Sequence, residues 1–193
     1  MSHPTGAMPR QAFLGAIAFG IIVFCAFIYD TQRDAVLGIL NNGLEPKSTI
    51  PIGPYYKVVR VVDGDTLLVN YNGTEEKVRL IGINTPETVD PRKTVECFGK
   101  EAGARMKELA DGKSVRLEFD STQDTRDIYG RLLAYVYLED NQMLNRKMIA
   151  EGYAYEYTYM TPYKYQADFR EVQTLARTSE RGLWAPNTCA GKK

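Results

Sequence analysis

The sequence predicts an α+β chain, mainly a five-stranded β-barrel with helices, carried behind an amino-terminal transmembrane helix. Three observations predict it. Residues 12–29, "AFLGAIAFGIIVFCAFIY", run for 18 positions without a charge, near the minimum that crosses a hydrocarbon core. From Tyr55 the texture changes to short β-rich runs separated by turn signals. Helical composition is confined to three segments, the first inserted between the third and fourth β-rich runs.

Taken in order, residues 1–11 form a flank and residues 12–29 the span. A cleaved signal peptide would have a shorter apolar region and a small-x-small cleavage site; here the segment ends in Phe-Ile-Tyr-Asp, which favours an uncleaved anchor. Its two glycines and all-round apolarity favour lipid over a buried core helix. Basic residues on its two sides are too evenly matched to orient it. Residues 30–54 read as a tether, since "NNGLEPKSTIPIGP" has glycines, prolines and little periodicity. "YYKVVRVVDGDTLLVNYNG" gives two strands broken at Asp63-Gly64-Asp65, and "EEKVRLIGI" a third. "GKEAGARMKELADG", residues 99–112, is helical in composition and closes on glycine. "KSVRLEFD" and "GRLLAYVYLED" are the fourth and fifth strands. Residues 142–152 read as a short helix stopped by Gly152, and a longer helix is expected from Pro162 to near Gly182. Five strands with an inserted helix is the oligonucleotide/oligosaccharide-binding (OB) arrangement, so residues 55–185 are expected to form an OB-fold domain and residues 186–193 a tail. Periodicity alone leaves other α+β folds open.

Composition narrows the chemistry. The 193 residues hold 24 Lys and Arg against 24 Asp and Glu. The charges before residue 50 also cancel, three against three, so the folded part is neutral. Any attraction to nucleic acid must then be local, and sensitive to salt. The single histidine is His3, which removes histidine catalysis and histidine-ligated metals from the folded part. Cys25 lies in the span, leaving Cys97 and Cys189. Two cysteines in an extracytoplasmic domain often pair, and in cytosol they stay reduced; both states remain open here.

Four stretches carry a resemblance: "VVDGDTLLV" from Val61, "VRLIGINTPET" from Val78, "FGKEA" from Phe98 and "TRDIYGRLLAYVY" from Thr125. In this order and spacing they resemble the staphylococcal nuclease (thermonuclease) family, over about residues 55–184. The resemblance implies an OB barrel with carboxyl-terminal helices and calcium-dependent cleavage of DNA and RNA that leaves 3′-phosphate ends. It implies Asp65 as a Ca2+ ligand, with Asn84 giving a side-chain oxygen and Thr85 a backbone carbonyl; calcium takes such hard oxygen ligands. Asp63 shapes the same turn. Asn84 departs from the family pattern, which has aspartate there, and the missing charge predicts weaker calcium binding.

The resemblance makes Arg79 and Arg131 a phosphate clamp, which suits a planar guanidinium facing charge that builds on a phosphodiester. It gives Glu87 the role of orienting and deprotonating the attacking water. Tyr157 and Tyr159, from "YAYEYTYMTPYKY", become candidates for stacking on bases, with ordinary packing as the alternative. Trp184 is expected to be structural. The leading expectation is a single-pass membrane protein with its nuclease domain extracytoplasmic, a nucleic-acid substrate and no obligate protein partner. The alternatives are a non-catalytic OB-fold binding module for nucleic acid or protein, and an envelope anchor whose barrel holds a protein or oligosaccharide.

Overall fold

The computed structural model describes residues 53–88 and 96–192. The expected anchor and most of the tether lie outside the described residues. Among those described, no helix is long and apolar enough to cross a membrane.

Five strands close into a barrel in the order β1 (Tyr56–Val61), β2 (Thr66–Tyr71), β3 (Thr74–Leu80), β6 (Leu132–Tyr137) and β5 (Ser114–Glu118). All pair antiparallel except β3 and β6, which run parallel. The β2–β3 hairpin turns on Asn72-Gly73, whose φ values of 52° and 88° suit the two-residue turn that matches strand twist. Alternation then sorts the side chains. Leu67, Val69, Val78 and Leu80 are buried in the core, so Arg79, between two inward residues of β3, must point to the other face.

Three α-helices are described: α1 (Gly99–Ala110), α2 (Leu144–Ala150) and α3 (Gln166–Thr178). Helix α1 buries Ala102, Met106 and Leu109, and α3 buries Phe169, Val172 and Ala176. These spacings trace one face of a 3.6-residue period. Tyr135, Tyr137 and Phe169 are the largest wholly buried side chains, and truncating one such aromatic costs about 3–5 kcal/mol. The buried Asn145 ties α2 to the barrel. Its amide donates to the Ile81 carbonyl at 2.8 Å and its oxygen accepts the Val136 N–H at 2.9 Å.

The five expected strands are the five barrel strands, and an OB-type barrel is the result. Other details differ from expectation. Strand β4 (Ile83–Asn84) pairs with β7 (Tyr155–Glu156) in a second, two-stranded sheet that the sequence does not announce. The last helix starts at Gln166 rather than Pro162, because Tyr163 and Tyr165 are buried ahead of it and the Lys164 N–H donates to Asp120 at 2.8 Å. Helix α2 starts at Leu144, since Met143 still bridges to Tyr137. Gly82 joins β3 to β4 at φ 77°; an added Cβ would lie 2.6 Å from the Tyr163 ring, so only glycine lets this corner close.

Candidate active site

The Asp63–Asp65 turn between β1 and β2 is built against β4. Asp63 accepts the Asp65 N–H at 3.0 Å, closing the turn with its own side chain. Gly64 sits so close to Thr85 that an added Cβ would meet Thr85 Cγ2 at 2.7 Å. Asp65 is buried and accepts from three groups: Thr85 N–H at 2.9 Å and Thr85 hydroxyl at 3.1 Å on Oδ2, and Thr66 hydroxyl at 3.1 Å on Oδ1. Burial, and then the Asp65 charge, push the Asp63 carboxyl up to about 6.

Arg79 reaches the same place from β3. Its Nη2 lies 3.2 Å from Asp65 Oδ2 and 3.4 Å from Asn84 Oδ1, while Nη1 donates to the Leu80 carbonyl at 2.7 Å. Asn84 is held in place by the β4–β7 pairing, opposite Tyr155. Three residues past Asn84 comes Glu87, whose Oε1 accepts the Thr88 N–H at 2.8 Å.

Arg131 arrives from the start of β6. A tight turn precedes it, in which Asp127 Oδ1 accepts the N–H groups of Tyr129 at 2.9 Å and Arg131 at 3.0 Å. Asp127 Oδ2 then takes the Arg131 Nε–H at 2.6 Å, and the guanidinium lies 5.4 Å from the centre of the Tyr129 ring.

All eight residues named from the sequence, Asp65, Arg79, Asn84, Thr85, Glu87, Arg131, Tyr157 and Tyr159, line one open cleft of about 1130 Å³. Tyr157 is 43% and Tyr159 68% exposed, so neither ring is buried in the core. Three participants were not singled out from the sequence. Asp127 holds Arg131, and its turn signal, an Asp followed by Tyr-Gly, was there to be read. The Tyr163 hydroxyl shares its one proton between Glu156 at 3.0 Å and the Gly82 carbonyl at 3.3 Å, bracing the corner before Asn84. Asp120 anchors the segment after Tyr159 through Lys164, and no local pattern marks it. Cys97 and Cys189 are joined as a disulfide, with Cα atoms 5.9 Å apart.

The donors fit a hard cation. Asp65 and Asn84 offer oxygen, and the Arg79 guanidinium already occupies the point where they converge, so the pair holds a positive charge. Among the described residues, no three His, Cys, Asp or Glu side chains form a cage.

Comparison with known proteins identifies relatives of this chain. Residues 77–186 match the family model described as staphylococcal nuclease homologue. The thermonuclease of Staphylococcus hyicus is 42% identical over 130 residues, covering 67% of this chain and 75% of that protein. The thermonuclease of Staphylococcus intermedius is 41% identical over 147 residues, covering 76% and 86%. Endonuclease YncB of Bacillus subtilis (strain 168) is 40% identical over 127 residues, covering 65% and 59%. By the extent of these matches, the chain belongs to the staphylococcal nuclease homologue family.

Proposed function

We propose that this chain, a nuclease of that family, hydrolyses phosphodiester bonds of DNA, RNA or both with calcium as cofactor, while tethered to a membrane by residues 12–29. One observation carries the catalytic reading: two arginines, a glutamate and an oxygen-donor pair line the same cleft. The names of the relatives, thermonuclease and endonuclease, support the reaction class.

The side chains divide the work. Arg79 and Arg131 present planar forks to the phosphate from opposite sides of the sequence, one from β3 and one from the turn before β6. Negative charge grows on the phosphate oxygens as attack proceeds, and donors fixed in advance lower the barrier. Glu87 orients a water and accepts its proton as the water oxygen bonds to phosphorus and the bond to the leaving nucleoside oxygen breaks. Tyr157 and Tyr159 stack on unpaired bases at the exposed side of the cleft. Asp65, Asn84 and the Thr85 carbonyl would hold the calcium ion, which supplies Lewis-acid stabilisation and a template for the phosphate.

In this reading the tethered domain lies outside the cytoplasm. The apolar run of residues 12–29 supports the membrane part, and the Cys97–Cys189 bridge supports an oxidising compartment. Retention of the chain in alkali-washed membranes checks the anchor; release into the wash removes it.

Asn84, neutral where a carboxylate would hold calcium better, favours a second reading, a non-catalytic binding module. One experiment separates the two. The full chain, purified in detergent, is given single-stranded DNA with calcium or with chelator, beside its Glu87→Gln variant. Calcium-dependent cleavage that vanishes in the variant is expected. Binding without cleavage would leave the module.

A further inference from the structure

Glu87 sits beyond the end of β4, where no strand pairing holds its backbone. A carboxylate that must deliver a proton-accepting oxygen to one place needs a fixed main chain. The structure supplies that from a distance in sequence. The Glu96 N–H donates to the Glu87 carbonyl at 2.9 Å, and the Glu87 N–H donates to Glu96 Oε2 at 2.9 Å. Both main-chain polar groups of Glu87 are therefore taken by one residue.

The residues after Glu96 extend this hold. The Gly99 N–H donates to the Glu96 carbonyl at 3.1 Å. A Cβ at Gly99 would meet Thr88 Cγ2 at 2.5 Å and the carbonyl oxygens of Pro86 and Glu87 at 3.0 and 3.1 Å, so the first turn of α1 lies directly against the backbone of residues 86–88. Phe98, at φ 68°, stacks on Tyr153 with ring centres 5.4 Å apart. Between Glu96 and Phe98 lies Cys97, bonded to the buried Cys189. Cys189 belongs to the carboxyl-terminal segment, whose Trp184 packs edge-on against Tyr155 at 5.3 Å. Tyr155 in turn pairs with Asn84. The strut that grips Glu87 is thus pinned, through the bridge, to the segment that also braces β7 and β4.

We propose that Glu96 is a positioning residue for Glu87 and that the Cys97–Cys189 bridge holds Glu96 in register to do so. This rests on the reading of Glu87 as the proton acceptor. Glu96 does not touch substrate in this scheme; it acts through the Glu87 main chain. The bridge adds a covalent stop one residue away, so its loss lets Glu96 shift without unfolding the barrel, whose core residues lie elsewhere.

The test uses the full chain in detergent with calcium and single-stranded DNA as the probe. Glu96→Ala is expected to lower kcat by about 10-fold to 100-fold, the scale of a displacement near 1 Å, with KM within about twofold. Glu96→Gln keeps an oxygen acceptor for the Glu87 N–H and is expected to restore kcat to within about threefold of wild type. Cys97→Ser with Cys189→Ser is expected to lower kcat in the same direction, and to add little to Glu96→Ala, because coupled residues are not additive. Hydrogen exchange at the Glu87 amide gives a readout independent of turnover, and it should quicken in Glu96→Ala while the Val136 amide stays protected. Unchanged kcat and unchanged Glu87 exchange in folded Glu96→Ala would overturn the strut. An inactive wild type with fast Glu87 exchange in Glu96→Ala would instead overturn the role of Glu87 and keep the strut as structure only. Full additivity of the cysteine and Glu96 changes would detach the bridge from the site.

Discussion

The Nη2 atom of Arg79 lies 3.2 Å from Oδ2 of Asp65, the same oxygen that accepts the Thr85 N–H. The side chain proposed to bind a phosphate therefore also neutralises the carboxylate proposed to bind a metal. Side-chain exposure is 14% for Arg79 and 9% for Asp65, so the pair is poorly screened and its removal should be felt. In the proposed scheme, clamp and cation would compete for this one carboxylate.

Arg79→Ala should therefore have two opposed effects. Calcium binding to the substrate-free protein, measured by calorimetry, should tighten by about tenfold, since one ion-pair partner weighs about as much as one ligand charge. Turnover should fall by at least about 100-fold, the scale of a lost charge-stabilising donor. Calcium affinity that weakens with the alanine would show that Arg79 supports the metal position instead of occupying it.

Asn84→Asp restores a carboxylate beside Asp65 and within reach of Arg79. Calcium affinity should rise by about tenfold, because ligand charge sets affinity at such oxygen sites. The added charge also strengthens the hold on Arg79, so the gain should be larger when Arg79→Ala is combined with it. Equal or weaker binding in the single variant would remove Asn84 from the ligand set.

Arg131→Ala should leave the fold intact and lower kcat by on the order of 10³, as for other arginines that stabilise a transferring phosphoryl group. Asp127→Ala leaves the guanidinium present but unheld, and also strips the acceptor from two turn N–H groups. Its cost should be smaller, about tenfold in kcat/KM. Comparable losses in both variants would mean that the turn, rather than the guanidinium, is what the substrate needs.

Much of this was legible in the sequence for a physical reason. Barrel strands bury one face, so alternation marks β2 and β3 and puts Arg79 opposite Val78 and Leu80. Asp63-Gly64-Asp65 is a local turn, readable as one. The β4–β7 pair is two residues long on each side, too short to carry any period. The grip of Glu96 on Glu87 joins residues nine apart through one side chain and one main chain, and nothing in either residue announces it. The late start of α3 has the same origin. Helical composition runs back to Pro162, but burial of Tyr163 and Tyr165 and the Asp120 bond to Lys164 override it. The eight site residues came through resemblance, and the cleft that gathers them is a property of the closed barrel and its flanking corner.

Asp120 gives a pH prediction. Burial alone would raise its carboxyl. The Lys164 N–H, the Tyr135 hydroxyl and the N–H and hydroxyl of Thr122 outweigh burial, and hold it below the usual carboxylate value. A carboxyl depressed in the folded state contributes stability that is fully present above its unfolded value, about 3.9, and is lost as pH falls through the lower folded value. Asp120→Asn should thus cost about 2 kcal/mol at pH 7, on the scale of hydrogen bonds to a charged group, and should flatten the acid limb of stability below about pH 4. Because Lys164 follows the segment of Tyr159, KM should rise in the variant as well. Urea unfolding across pH checks the first part, and an acid limb that keeps its slope would assign it to another carboxylate.

Besides fixing Glu96 in the folded protein, the disulfide should add stability mainly by constraining the unfolded chain. Cys97 and Cys189 are 92 positions apart, a loop whose closure is worth about 4.6 kcal/mol in the chain-entropy account. In the folded protein the carboxyl-terminal segment has other anchors. Leu183 N–H donates to the Gly152 carbonyl at 2.9 Å, Trp184 packs on Tyr155, and Gly191 lies so near the Trp184 ring that a Cβ there would sit 2.7 Å from it. Replacing both cysteines with serine should therefore lower the unfolding free energy by about 4.6 kcal/mol while leaving the emission of the single tryptophan, Trp184, unchanged in the native state. For a domain of this size that is a fall in Tm of roughly 15 °C. A shifted Trp184 emission would mean that the bridge also shapes the native segment, and a stability loss well under 2 kcal/mol with unchanged emission would mean that the unfolded chain already keeps these ends close.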